Sequence, residues 1–141
     1  YSMDQWPGYE FERRRLLRHF ADKKIKNPVV LTGDIHSDWA NELIADFDQL
    51  DSKSVATEFV GNSISSGGDG SDAPKARAHL TAENPFVKYF NSERGYVRCE
   101  ITPQQWRTDY RTVPFVTKPD APLHTRASFV VESGRPLLNR V

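Results

Sequence analysis

Gly33-Asp34-Ile35-His36 is the sharpest chemical signal in the chain. Asp34 and His36 stand two apart, directly after the short β-prone run Val29-Val30-Leu31-Thr32. A turn at the end of such a strand lets both side chains reach neighbouring positions. A carboxylate oxygen suits a hard cation, and an imidazole nitrogen suits a transition metal. Two metals about 4 Å apart can clamp a phosphate and activate water for in-line attack. By itself, however, Asp-x-His also reads as a capping aspartate beside an ordinary surface histidine.

The surrounding pattern says which elements must position this pair. Asn27-Pro28 breaks an earlier helical pattern over residues 9–24, whose apolar anchors are Phe11, Leu16, Leu17 and Phe20. The continuous run 29–32 suits a strand buried on both faces. Ser37 or Asp38 can then cap a second helix from about Trp39 to Phe47, with Trp39, Leu43, Ile44 and Phe47 on one buried face. The motif thus falls at the carboxyl end of a strand and just before a helix, where open α/β sheets place their ligands. Another strand is expected over 55–60, followed by a Gly/Ser/Asn/Asp-rich loop from Gly61 to Gly70. Helical turns are expected within 75–90, with Pro85 ahead of Phe86, Val87, Tyr89 and Phe90. Gly95–Thr102 and Trp106–Val113 alternate apolar and polar residues around Pro103-Gln104-Gln105, which predicts a β-hairpin. A last strand is expected over 127–132. This mixture of strands and helices is of the α/β (α+β) class.

The composition sets outer limits. The 141 residues make about one domain, and 38% apolar with 27% charged residues fits a folded globular chain. Lys plus Arg and Asp plus Glu are both 19, so the zero formal charge gives no general attraction to nucleic acid, and none is expected as a specific partner. No apolar run is long enough to span a bilayer. The single cysteine, Cys99, excludes an internal disulfide and a thiolate zinc cluster; it reads as a small core residue or as a reactive thiol. No Gly-x-x-x-x-Gly-Lys stretch supports a nucleotide P-loop.

Several other residues carry two readings each. Arg13, Arg14, Arg15 and Arg18 form either a solvated helix face or a phosphate-attracting cluster. Glu58 either hydrogen-bonds a metal ligand or pairs with an arginine. The segment with Asn62, Ser63, Ser65 and Ser66 either cradles phosphate oxygens or is a flexible surface loop. His19 reads as a surface residue and His124 as part of a connector, whereas His79 follows the Gly/Ser loop and can approach the site.

A wider set of motifs weighs against the bland reading of Asp34 and His36. Asp4-Gln5-Trp6 with Gly8-Tyr9, Arg14-Arg15-Leu16-Leu17, and Val30-Leu31-Thr32-Gly33-Asp34-Ile35-His36-Ser37 with Trp39 come first. Ala56-Thr57-Glu58-Phe59-Val60-Gly61 and Ser63-Ile64-Ser65-Ser66-Gly67-Gly68 follow. Asn84-Pro85, Phe90-Asn91, Arg94-Gly95-Tyr96-Val97 and Thr125-Arg126-Ala127-Ser128-Phe129 complete the series. In order and spacing these resemble the PhoD-like (alkaline phosphatase D) phosphatases over nearly the whole chain.

The resemblance implies a metallophosphoesterase-type β-sandwich flanked by helices, and hydrolysis of phosphate mono- or diesters at a binuclear or mixed site, with iron and calcium the expected ions. The wider superfamily ends its ligand set with Gly-His-x-His; the PhoD-like family replaces the first histidine by aspartate, so the ligand roles carry over to Asp34 and His36, each on a different ion. Asp4, Trp6 and Tyr9 lie in a family motif; Trp6 and Tyr9 either shape a substrate pocket or pack at a helix start. Together with Glu58, Asn62 and Ser66 they are the candidates for hydrogen-bonding a metal ligand or binding substrate. No earlier ligand motif precedes Asp34, so residues 1–141 are expected to be the C-terminal part of a catalytic domain, partnered by the N-terminal half of the same protein and inactive alone. The alternative is a noncatalytic subdomain that only completes the sandwich. Export to the periplasm or exterior of the cell is implied for the parent protein, by resemblance alone.

Overall fold

The computed structural model describes residues 4–72 and 74–141. A single 3-10 turn, Trp6–Tyr9, leads into helix α1, Glu10–Asp22, close to the helical span expected from the sequence. Its end is explained locally. Lys24 takes a left-handed φ of 49°, and the amides of Lys24 and Ile25 donate back to Ala21 and Phe20 at 3.1 Å each, satisfying carbonyls the helix leaves open. Leu17 is the helix residue that is buried, on the side of the adjoining sheet.

Among the described residues eight strands form two four-stranded sheets. The first contains β1 (Val29–Thr32), β3 (Ser54–Val60), β2 (Asp38–Ile44) and β4 (Val87–Asn91), in that spatial order. β1 runs parallel to β3, and the other pairings are antiparallel. The second is a meander of β5 (Arg94–Ile101), β6 (Gln105–Val113), β7 (His124–Glu132) and the short β8 (Asn139–Arg140). β5 and β6 pair from Arg94–Val113 to Ile101–Trp106, which is the expected hairpin. β7 includes the expected 127–132 and starts earlier, at His124.

Two expected helical regions fold differently. The segment predicted as a helix from Trp39 to Phe47 is strand β2 over most of its length. β2 lies between β3 and β4, with Asp38, Ala40 and Ile44 buried while Trp39, Asn41 and Leu43 face a cavity on the opposite side. A central strand covered on both faces has no polar face, so its apolar residues fell at helical spacing by coincidence. Ser37 and Asp38 consequently cap nothing. In the 75–90 region, helix α2 spans Pro74–Glu83, and Asn84-Pro85 then gives way to β4. Of the apolar residues placed after Pro85, Val87, Tyr89 and Phe90 are strand residues and Phe86 lies in the turn before them; Val87, Tyr89 and Asn91 are buried.

The sandwich core lies between the two sheets. Ala40, Phe59 and Tyr89 from the first sheet meet Tyr110, Ala127, Phe129 and Val131 from the second. Tyr89 and Tyr110 rings pack at 4.8 Å between centroids, and the Tyr110 hydroxyl donates to the Trp39 carbonyl across the interface. This bond gives a buried hydroxyl its partner and ties β2, just after the Asp34–His36 turn, to the opposite sheet.

Candidate metal centre

The parallel pairing of β1 and β3 brings two loops to one place. Thr32 is aligned with Val60, and the Gly61 amide donates to the Thr32 carbonyl at 2.9 Å. The Asp34–His36 turn and the Gly/Ser loop therefore leave the sheet side by side at its carboxyl edge, the ligand-binding end of parallel sheets.

The turn itself is tight and strained. The Ile35 amide donates to the Gly33 carbonyl at 2.9 Å around Asp34, whose φ is 73°; His36 follows with φ 52°. Left-handed backbone at two nearby non-glycine residues costs on the order of 1–3 kcal/mol each, and such strain concentrates at ligand sites. Asp and His tolerate this region better than most residues. Both side chains are exposed, and neither hydrogen-bonds to another described residue. An unspent carboxylate and an unspent imidazole, on a turn fixed through its backbone, fit two ligands of a metal site. Among the described residues no three His, Cys, Asp or Glu side chains converge as a metal-binding group.

Behind the turn the chain is tightly held. Ser37 accepts a hydrogen bond from the Trp39 indole at 2.8 Å. Asp38, 1% exposed, accepts the Asn62 amide at 2.9 Å through Oδ1, while Oδ2 has no hydrogen-bond partner. Burial pushes the Asp38 carboxyl up to about 7, against the opposing pull of the Asn62 amide and the Arg94 charge. Arg94 is buried beside it. Its Nη1 donates to the His36 carbonyl at 2.9 Å and to Asn62 Oδ1 at 2.8 Å. Its Nε donates to the Gly68 carbonyl at 2.7 Å and its Nη2 to that of Gly67 at 3.2 Å. Glu93 forms a bidentate pair with Arg126 at 2.6 and 2.7 Å and accepts from Thr112, fixing the start of β5 from below.

A cavity of about 480 Å³ opens between α1 and the first sheet. Asp4, Trp6, Asp34 and Glu58, separated by up to fifty-four positions in the chain, all line it. Its volume is that of a small-molecule site. Glu58 accepts a hydrogen bond from Asn41 at 2.7 Å; among the described residues neither an arginine nor the Asp34–His36 pair meets its carboxylate in a hydrogen bond. Tyr9 lies outside this lining, at the start of α1, and is 56% exposed. Asn62 has its amide spent on the Glu93 carbonyl, the Ser63 amide and Arg94. Ser66 is exposed, and its carbonyl accepts from the Ser63 hydroxyl.

The remaining candidates are placed as follows. Arg14 is committed to Glu10, Asp46 and Asp48, Arg15 to Glu12, and Arg13 lies over the Phe47 ring. That is a helix face tied to its own surroundings. His79 contacts Glu83 one turn along α2, and His124 opens β7. Cys99 is half-buried on β5 near Thr108. Sequence reasoning missed Arg94 and Asp38 as parts of this site; Arg94 stood in a recognised motif, with no signal of what it would touch.

This turn at the carboxyl edge of a two-sheet sandwich defines the class, and the chain belongs to the PhoD-like phosphatase family, whose model matches residues 1–110. Over all 141 residues it is 48% identical to alkaline phosphatase D of Bacillus subtilis (strain 168), of whose length it spans 24%. A solved structure of PhoD overlays on the whole chain with a TM-score of 0.91 at 48% identity, and 27% of that structure is covered. The chain thus spans about a quarter of each of these relatives.

Proposed function

We propose that this chain supplies two ligands, Asp34 and His36, to a binuclear or mixed metal site that hydrolyses phosphate mono- or diesters, with iron and calcium as the ions. The observation that carries this reading is the strained turn that leaves both side chains unspent at the carboxyl edge of β1 and β3, in a chain of the PhoD-like phosphatase family. Bound metal supplies an activated water and neutralises charge on the phosphate. The chain's own contribution is to hold an oxygen and a nitrogen donor on a fixed backbone, beside a cavity that can take the organic part of an ester. The remaining ligands come from polypeptide outside these residues.

The same reading names a partner. Among the described residues β1 is one of the two edge strands of its sheet, β4 being the other, and Leu31 on it is 57% exposed. An apolar open edge is a pairing surface. The N-terminal half of the same protein is the proposed occupant. Among the described residues no helix is long and apolar enough to cross a membrane. Export of the parent protein is proposed on the family resemblance.

Metal analysis by mass spectrometry on the purified chain, beside an Asp34→Ala, His36→Ala double variant, tests the ligand assignment. Iron or calcium present in stoichiometric amount and lost in the variant supports it. Equal metal in both samples refutes it. No metal in either favours the second reading, a noncatalytic subdomain that packs on its other half; the open β1 edge is the observation behind that alternative. Little or no phosphatase turnover is expected from the 141 residues alone.

A further inference from the structure

We propose that Arg94 is the positioning residue of the Asp34–His36 pair, one guanidinium that locks the loops after β1 and β3 into the conformation that presents these ligands. The inference rests on the reading of Asp34 and His36 as ligands and adds what holds them. Arg94 reaches 58 positions back in the chain to the His36 carbonyl, and also to the Asn62 amide oxygen and the Gly67 and Gly68 carbonyls. Gly67 and Gly68 have φ of 86° and 78°, a backbone that ordinary L residues rarely adopt. A Cβ on Gly68 would meet open space, but Gly67 is tightly enclosed. A Cβ on Gly67 would lie 3.1 Å from Arg94 Nη2 and 3.4 Å from His36 Nδ1.

Two features set Arg94 apart from an ordinary staple. It is 6% exposed, and no carboxylate among the described residues forms an ion pair with it. A buried cation whose hydrogen bonds go only to carbonyl and amide oxygens, with the Asp38 carboxyl near it but not bonded to it, is a costly way to join loops. The guanidinium nevertheless suits this position, because its planar fork carries five donors in fixed directions, and four hydrogen bonds here run to four acceptors in two separate loops. A lysine ammonium is a single centre with three donors and cannot span them. The bond to the His36 carbonyl acts directly on the left-handed residue, whose conformation local preference alone would not maintain.

The test compares wild type with Arg94→Lys, Gly67→Ala and the Asp34→Ala, His36→Ala double variant, in the protein that carries this chain. Two quantities are read: amide hydrogen exchange without metal, and the dissociation constant for calcium alone. In Arg94→Lys the amides of residues 35–38 should exchange at least about tenfold faster while those of β6 and β7 keep their wild-type rates, a local opening rather than general loss of stability. Calcium affinity should fall by about 10–100-fold, the usual effect of removing a group that orients a ligand. Gly67→Ala, which leaves Arg94 in place but crowds both it and the His36 ring, should change both in the same direction, and its exchange rates at 35–38 decide the matter if Arg94→Lys does not fold. Wild-type exchange at 35–38 and wild-type affinity would overturn the proposal while leaving Asp34 and His36 as ligands. If the double variant binds calcium as wild type does, the ligand reading itself falls, and the positioning role falls with it.

Discussion

Replacing Glu93 by glutamine should test how strongly the base of the site is anchored. Glu93 is 5% exposed, takes Arg126 at 2.6 and 2.7 Å, and accepts from Thr112 at 3.1 Å. Glutamine keeps the shape but puts an amide donor against a guanidinium donor and removes the charge from a bidentate pair. Breaking a fully buried pair costs about 3–5 kcal/mol. The Arg126 side chain is 36% exposed and can regain water, so the loss should fall to roughly 2–3 kcal/mol. For a chain of this length that corresponds to a melting temperature lower by about 6–12 °C. The pH dependence has a definite direction. Burial raises the Glu93 carboxyl, but the Arg126 and Thr112 hydrogen bonds outweigh it and the net shift is below the ordinary 4.5. A depressed carboxylate contributes stability that is present above its unfolded value and is lost as pH falls through the lower folded value. Urea titrations of wild type and Glu93→Gln should therefore differ most near neutral pH and converge progressively below about 4.5. A cycle with Arg126→Gln should show a coupling of about 1–2 kcal/mol. A loss under about 0.5 kcal/mol at pH 7, or strict additivity with Arg126→Gln, would refute the buried-pair reasoning.

Three further outcomes follow from the backbone and from a second ion cluster. Gly95→Ala places a Cβ 2.0 Å from the Arg111 carbonyl oxygen, so β5 and β6 must separate; a loss of about 3 kcal/mol or more, or failure to fold, should appear in thermal melts by circular dichroism. Gly134 and Gly70 separate dihedral strain from collision. Gly134→Ala meets open space at φ 80° and should cost only about 1–2 kcal/mol in the same melts, whereas Gly70→Ala puts Cβ 1.8 Å from the Ser92 carbonyl oxygen at φ 73° and should cost clearly more. Asp109, 2% exposed, is opposed by burial but held down to about 2 by Ser128, Arg98 and Arg107; Asp109→Asn should lose about 1–3 kcal/mol in urea at pH 7, a deficit that shrinks as pH falls from about 4 toward 2.

Most strands were legible where one face meets the core and the other meets water. Val97, Cys99 and Ile101 alternate with Tyr96, Arg98 and Glu100, and the β5–β6 pairing follows that alternation. β1 and β3 were legible as short continuous runs bounded by Pro28 and by glycines, but β1 lies at the sheet edge with Leu31 and Thr32 exposed, not buried on both faces as its run suggests. β2 was not, because being central and covered on both faces it has no polar face to betray a period of two. β4 was obscured by its neighbour: helix α2 ends only at Glu83, and four residues later Val87 opens the strand. In both cases pairing with distant strands decided the structure, and no window of local sequence contains that information.

The site divides along the same line. The position of Asp34 and His36 at a strand end was legible, because the run 29–32 directly precedes them; their role as ligands is the proposal drawn from residue type. The groups that shape the turn were not, since Arg94 is an arginine in a strand-like segment until it is seen to reach His36, 58 positions away. The same holds for Asp38. Read locally it is a helix cap, yet it is a buried carboxylate whose Oδ1 is bound by the Asn62 amide, and Asn62 in turn accepts from Arg94. These contacts close a chain from Asp38 through Asn62 and Arg94 to the His36 carbonyl, joining the loops after β1 and β3. The strain at His36 follows from this closure, because a left-handed residue persists only where several contacts fix its neighbours.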